Sequence, residues 1–278
     1  MLKKHNKIKS ILMPIIMLIL LAILIFSISS CNKKTYNDFY IPLQEAVNKG
    51  EEKITLSKPS SEKIGLKVTN RLVYGTPSNF HVERAYIASG QSDLERGRIY
   101  YSSRYKLEDY QKNLDRFNKK IEEITSQINP GYKTIEIIQW ISEYMCLNYE
   151  YDYSYSNYNA LAMLDDSKGT CAAYALLFKA FMDKLNIPCE VILGKADSGY
   201  GPVYNLSDHS WNIVKIGLFW YHIDVTWMDE GNKINYDYYL KSSLNFEKVY
   251  HHQFNQIFNN NHLLWFNKET PEKQIYIK

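Results

Sequence analysis

Lys168-Gly169-Thr170-Cys171-Ala172-Ala173-Tyr174-Ala175-Leu176-Leu177-Phe178 is the stretch from which the fold of this 278-residue chain is read. Gly169-Thr170 has the form of a loop-to-helix entry with Thr170 as N-cap. Behind it Tyr174, Leu177, Phe178, Phe181 and Leu185 recur at three- and four-residue spacing. The pattern predicts a helix whose first residue is Cys171. A thiol in that place meets unbonded backbone N–H groups and the positive end of the helix dipole, and both favour the thiolate.

Downstream, His209 to Ile216 and Phe219 to Trp227 are rich in β-branched and aromatic residues, and Gly217-Leu218 between them suits a two-residue type II′ hairpin. With that turn Ile216 faces Phe219, Trp211 faces Asp224 and His209 faces Thr226. His209 and Asp224 then become diagonal neighbours on one face of the hairpin, about 7 Å apart or less at Cβ, within reach of a hydrogen bond. A slip of one residue puts them on opposite faces.

Thiol, imidazole and carboxylate in this order are the parts of a thiol acyl-transfer site. The imidazole of His209 takes or shares the proton of Cys171 and returns it to a leaving group, and Asp224 fixes its tautomer and orientation. The backbone N–H of Cys171 is a natural oxyanion donor. Taken singly, each of the three reads as structural, the cysteine as a small buried residue and the histidine as a satisfied core or surface group. Their order along the chain is what joins them. All three are also zinc-ligand types, but none lies at the close spacing of zinc sites, and His251-His252 and His262 form no such pattern. No phosphate loop, dinucleotide fingerprint or calcium loop can be read, so no metal and no cofactor are expected.

Gly-Thr-Cys at a helix start, Asn186-Ile187-Pro188-Cys189-Glu190-Val191 entering a strand, His209-Ser210-Trp211-Asn212, and Trp220-Tyr221-His222-Ile223-Asp224-Val225-Thr226-Trp227 resemble the transglutaminase-like superfamily. The resemblance runs from about Thr134 to Ser243. It implies an α+β, papain-like core with a catalytic helix packed on an antiparallel β-sheet, and a triad of Cys171, His209 and Asp224. It further implies action on amide or peptide bonds through an acyl-enzyme. Peptidase or amidase action is favoured over transfer to an amine, because no separate acyl-acceptor site can be read. The alternative is a module that keeps the fold and binds surface polypeptides or cell-wall peptides without turnover. The partner in either case is a polypeptide or peptide-like ligand, with Trp211, Tyr158 and Trp227 as candidate contacts.

At the N-terminus Lys3, Lys4, Lys7 and Lys9 precede an apolar run from Ile11 to Phe26, and Ile28-Ser29-Ser30-Cys31 follows. This reads as a secretory signal over 1–30, with Cys31 as the lipidated first residue of the mature chain. An uncleaved anchor is the other reading, but the run is short for a span of ~20 residues and contains Pro14. Either places the bulk of the protein on the extracytoplasmic face of a bacterial cell membrane. Residues 1–30 hold four lysines and no acid, so the 33 basic and 30 acidic residues of the chain become 29 and 30 without them. The remainder is near neutral, and nothing supports a nucleic-acid surface.

Residues 31–38 read as a tether and 39–106 as a mixed, β-containing region, with alternating segments at Ile64–Val68 and Phe80–Val82. Residues 107–278 read as the main domain. Leu107, Tyr110, Leu114, Phe117, Ile121, Ile124 and Ile128 predict one long helix and Thr134 caps a second. The loop from Asn148 to Asn159 carries Tyr149, Tyr151, Tyr153, Tyr155 and Tyr158, which reads either as a packed surface crossing or as an aromatic wall of a cleft. Cys146 and Cys189 read as buried small residues, with a disulfide between them left open.

Overall fold

The computed structural model of the protein describes residues 39–57, 62–88, 94–197, 206–248 and 251–257, with positions 17, 19 and 20. The rest of the lysine-rich and apolar N-terminal stretch, Cys31 and His262 lie outside the described residues. Among the described residues no helix is long and apolar enough to cross a membrane.

Residues 39–49 form helix α1, followed by β1 (Lys53–Ser57), α2 (Glu62–Tyr74), β2 (Val82–Ala88) and β3 (Leu94–Tyr101). The strands form an antiparallel sheet in the order β1-β3-β2. The two helices share a core with it, built from Phe39, Leu43, Val47, Val68, Leu72, Val82 and Ile99. Ile64–Val68, read as an extended segment, is helical instead. Val68 and Leu72 stand four apart and are both buried, so the 3.6-residue period governs this stretch. Phe80, in the turn before β2, leaves this core and inserts among Tyr105, Tyr110 and Phe117 of the larger one, at ring-centroid distances of 5.6 to 5.9 Å.

The larger core is built around α6 (Cys171–Lys184), whose residues from Ala172 to Phe178 are all buried. A helix apolar on every side belongs inside a protein. α3 (Tyr110–Thr125), α4 (Thr134–Asn148), α5 (Ala160–Asp166) and the short α7 (Val225–Met228) pack around it. A short parallel pair, β4 (Glu150–Tyr151) and β5 (Lys168–Gly169), precedes α6. The antiparallel sheet β8-β7-β6-β9 covers another side, formed by β6 (Cys189–Asp197), β7 (Leu206–Ile216), β8 (Phe219–Ile223) and β9 (His252–Ile257). α3 begins at Tyr110, after a 3-10 turn at Leu107–Asp109, and Thr134 is the first residue of α4, whose N-cap is Lys133. Helix and sheet are tied by Asn212, whose Nδ2 donates to Ala175 O at 3.0 Å, and by Lys179, whose Nζ donates to Cys189 O at 2.9 Å. The result is the α+β arrangement expected from the sequence. Cys146 and Cys189 are separate free thiols.

Two glycines set the approaches to the site. Gly217 has φ +61° whereas Leu218 keeps a negative φ, as a type II′ hairpin requires. Gly169 lies so close under α6 that a Cβ on it would fall 2.7 Å from Ala173 Cβ and 3.0 Å from Met163 Sδ. Gly169→Ala is therefore expected to cost about 1–3 kcal/mol by overpacking. Gly217→Ala, which meets no neighbour within 4 Å, is expected to cost about 1–2 kcal/mol through its backbone alone. Urea unfolding of the two variants checks both figures, and neutral behaviour at Gly169 contradicts the packing described.

Candidate active site

Cys171 is placed by a short relay of backbone contacts. Asp152 Oδ2 accepts from the N–H of Asn157 at 2.9 Å, and the Asn157 carbonyl accepts from Thr170 N at 2.8 Å and Thr170 Oγ1 at 3.1 Å. Thr170 occupies the N-cap position with extended backbone, but its hydroxyl is spent on Asn157 and does not cap the helix. The first ladder bond of α6 runs from Tyr174 N to Thr170 O, so the N–H groups of Cys171, Ala172 and Ala173 lie ahead of it. The half-buried thiol thus sits at a helix end whose donors favour negative charge.

β7 and β8 pair in the expected register, Ile216 opposite Phe219 through Asn212 opposite Ile223. The strand expected to reach Trp227 stops at Ile223. Asp224 ends it by capping α7: its Oδ1 accepts from Trp227 N at 3.3 Å. Thr226 therefore sits in a helical turn rather than opposite His209. The diagonal pair survives, because it needs only the register up to Asp224. His209 Nε2 donates to Asp224 Oδ2 at 2.6 Å. The His209 ring is also hydrogen-bonded to the Cys171 thiol, whose sulfur accepts from the Ser210 N–H.

The electrostatics follow from burial set against partners. Burial alone would push the His209 pKa down, but the charge and hydrogen bond of Asp224, with the thiol, raise it to about 10. Burial would push Asp224 up, yet His209 and a second histidine, His252, hold it well below the usual carboxylate range. Burial likewise opposes the Cys171 thiolate. The His209 hydrogen bond and charge outweigh that effect and lower the thiol below its ordinary value.

Residues 119–225 match the family model of the transglutaminase-like superfamily. That segment is a transglutaminase-like domain. Cys171, His209 and Asp224 all fall inside it. Among solved structures, similarity is found to a protein of Cytophaga hutchinsonii described as a candidate cysteine protease (18% identity, TM-score 0.34, 54% of this chain and 64% of that one). It is also found to a TGase (14%, 0.36, 71% and 55%) and to the periplasmic domain of TgpA from Pseudomonas aeruginosa bound to ethylmercury (16%, 0.32, 48% and 55%). The chain spans between about half and two thirds of the length of these structures. No curated protein matches the sequence.

The three aromatic residues singled out in the sequence of the transglutaminase-like domain lie in different settings. Trp227 stacks on the His209 ring at 4.9 Å and 28° and is half-buried. Trp211 is 1% exposed and spends its indole N–H on His222 Nδ1 at 3.0 Å, so it backs His209 from within the core and offers a ligand no surface. Tyr158 is half-buried beside Tyr74 and Glu83, where the N-terminal unit meets the domain. In the tyrosine-rich loop, Tyr153 and Tyr155 are exposed, whereas Tyr151 lies within electrostatic range of the thiol.

Sequence reasoning passed over three neighbours of this site. Tyr74, at the end of α2, also lies within electrostatic range of Cys171, and only the docking of the N-terminal unit brings it there. His222 must accept at Nδ1 from Trp211, so its proton is on Nε2 and is donated to Ser243 Oγ at 3.0 Å. Burial and the nearby His252 push its pKa down to about 3, in keeping with a neutral ring. His252 on β9 donates from Nε2 to Asp224 Oδ2 at 3.0 Å.

His209, Asp224 and His252 bring three donor atoms within 4.8 Å of one another, the spacing of a candidate metal site. Their N···O separations of 2.6 and 3.0 Å are hydrogen bonds. Ligands about 2.0–2.1 Å from a tetrahedral zinc would stand about 3.3 Å apart. The trio holds a buried proton network rather than a cradle for an ion.

These shifts give the pair a defined pH range. His209, raised from 6.5 to about 10, contributes stability that is complete below about pH 6.5 and lost as pH rises through about 10. Asp224, depressed from 3.8, contributes stability present above that value and lost as pH falls through its folded value. Cys171, whose thiol His209 holds below its ordinary 9.0, contributes in the opposite sense: its share grows as pH rises from its folded value to about 9 and offsets what His209 loses there. The stability difference between the native chain and His209→Ala is thus expected to narrow as pH falls below about 3.8 and as it rises from about 9 through 10. Urea melts across pH measure it, and a gap that widens from about pH 9 to 10 contradicts the assignment.

Proposed function

We propose that the protein is a thiol enzyme acting on amide or peptide bonds through an acyl-enzyme on Cys171, with His209 as proton carrier and Asp224 as its orienting partner. The observation that carries this reading is the continuous chain of hydrogen bonds from the Cys171 thiol through the His209 ring to the buried Asp224 carboxylate.

In this reading the resting pair is thiolate and imidazolium. Sγ attacks the carbonyl carbon, a C–S bond forms, and the C=O π pair moves to oxygen, where the Cys171 N–H at the start of α6 receives it. Collapse restores the carbonyl, breaks the C–N bond and expels the amine with the proton from His209. Water then attacks the thioester, gives its proton to His209, and leaves as the carboxylic acid product while the thiolate is restored. An amine in place of water would give transfer instead. Hydrolysis asks for no second acceptor site and is the form proposed here. The substrate is a polypeptide or peptide-like amide. The basic, apolar N-terminal run and Cys31 support export and lipid anchoring, which would put the domain on the outer face of the cell membrane.

Alkylation tests the core of this reading. In detergent-solubilised full-length protein, iodoacetamide labelling of Cys171, followed by peptide mass, is expected to be fast well below the ordinary thiol pKa of about 8.5 and to lose that low-pH arm in His209→Ala. Slow labelling with an ordinary thiol profile in both overturns the acyl-enzyme and leaves a binding module.

A further inference from the structure

We propose that His252 is a positioning residue of the site, the second imidazole that fixes the Asp224 carboxylate on which His209 depends. The assignment rests on the acyl-enzyme reading above and adds to it a residue beyond the segment matched by the family model.

Asp224 has no exposed surface, and each of its oxygens is accounted for by N–H donors. Oδ1 accepts from Trp227 N at 3.3 Å, whereas Oδ2 accepts from His209 Nε2 at 2.6 Å and from His252 Nε2 at 3.0 Å. The terminal torsion of an aspartate is broad and barely resists rotation. Without His252 the carboxylate plane would be set by one long contact at Oδ1 and by His209 itself, the group it is meant to hold. The second donor on Oδ2 removes that circularity. It also offsets the cost of an anion buried without water.

His252 is itself held firmly. It is 0% exposed, with Phe246 at 4.0 Å, Trp227 at 4.6 Å and Trp211 edge-on at 4.9 Å between ring centroids. Its strand is fixed by pairing with β6, His252 opposite Ala196. The preceding residue, His251, takes a left-handed backbone with φ +51°, a conformation that a non-glycine residue adopts at some strain. The imidazole that follows reaches a carboxylate 28 residues earlier.

The test compares His252→Gln, whose Nε2 can stand where the imidazole Nε2 stood, with His252→Asn, whose amide reaches only as far as Nδ1. The readout is the pH profile of Cys171 alkylation in the full-length protein, beside the thermal midpoint of each variant. His252→Gln is expected to keep the native low-pH arm. His252→Asn is expected to move the inflection up by about one unit, a tenfold loss of labelling at pH 6, because a loosely held carboxylate supports the imidazolium less well. His252→Phe, which fills the aromatic enclosure without a donor, repeats the comparison if His252→Asn does not fold. A native profile in the donor-less variant overturns the assignment, as does an equal loss in His252→Gln. If the native chain itself labels like an ordinary thiol, the acyl-enzyme reading falls first and this one with it.

Discussion

A carboxylate with no exposed surface must be met by donors on every side, and Asp224 is the point around which this site is arranged. Removing an anion from water costs several kcal/mol, and here three N–H groups offset that cost. One comes from the turn that the aspartate caps, one from β7 and one from β9. Sheet order and hairpin register are therefore part of the electrostatics. Opening β9 or slipping β7 by one residue would strand a buried charge.

Negative charge is thereby passed along a line. Asp224 raises the proton affinity of His209, and His209 lowers that of Cys171 against the desolvation that opposes a thiolate. The helix end adds unbonded N–H groups near the sulfur, and Trp227 covers the imidazole with a face suited to a cation. His222 sits close by without joining the line, since the Trp211 N–H occupies one of its nitrogens and holds it in a neutral tautomer. Neighbouring imidazoles thus differ in charge because their partners differ.

Much of this was legible in the sequence because it depended on local periodicity. The spacing behind Cys171 marks a helix, and a two-residue turn with glycine first fixes which residues of β7 and β8 share a face, so the His209–Asp224 pair could be found by counting. Where competing local chemistry intervened, counting failed. Asp224 can extend a strand or cap a helix, and the Trp227 N–H decides for the cap. Ile64–Val68 alternates over five residues, yet it lies in a helix whose Val68 and Leu72, four apart, are both buried in the core shared with the sheet. His252 and Tyr74 were illegible for another reason. Their relation to the site is set by docking across long sequence separations, and neither carries a local pattern that points there. Trp211 stood in the right place beside His209, but its burial and its bond to His222 are tertiary facts.

The central claim is that the resting site holds a thiolate beside an imidazolium, oriented by a buried carboxylate. Nitrogen-15 NMR of the His209 ring near pH 7.5 tests it most directly, before and after blocking Cys171 as a methyl disulfide. The account predicts both ring nitrogens protonated in the free protein, with the ring's pKa falling once the thiolate is gone. A neutral His209 ring in the free protein, unaltered by blocking the thiol, would contradict it.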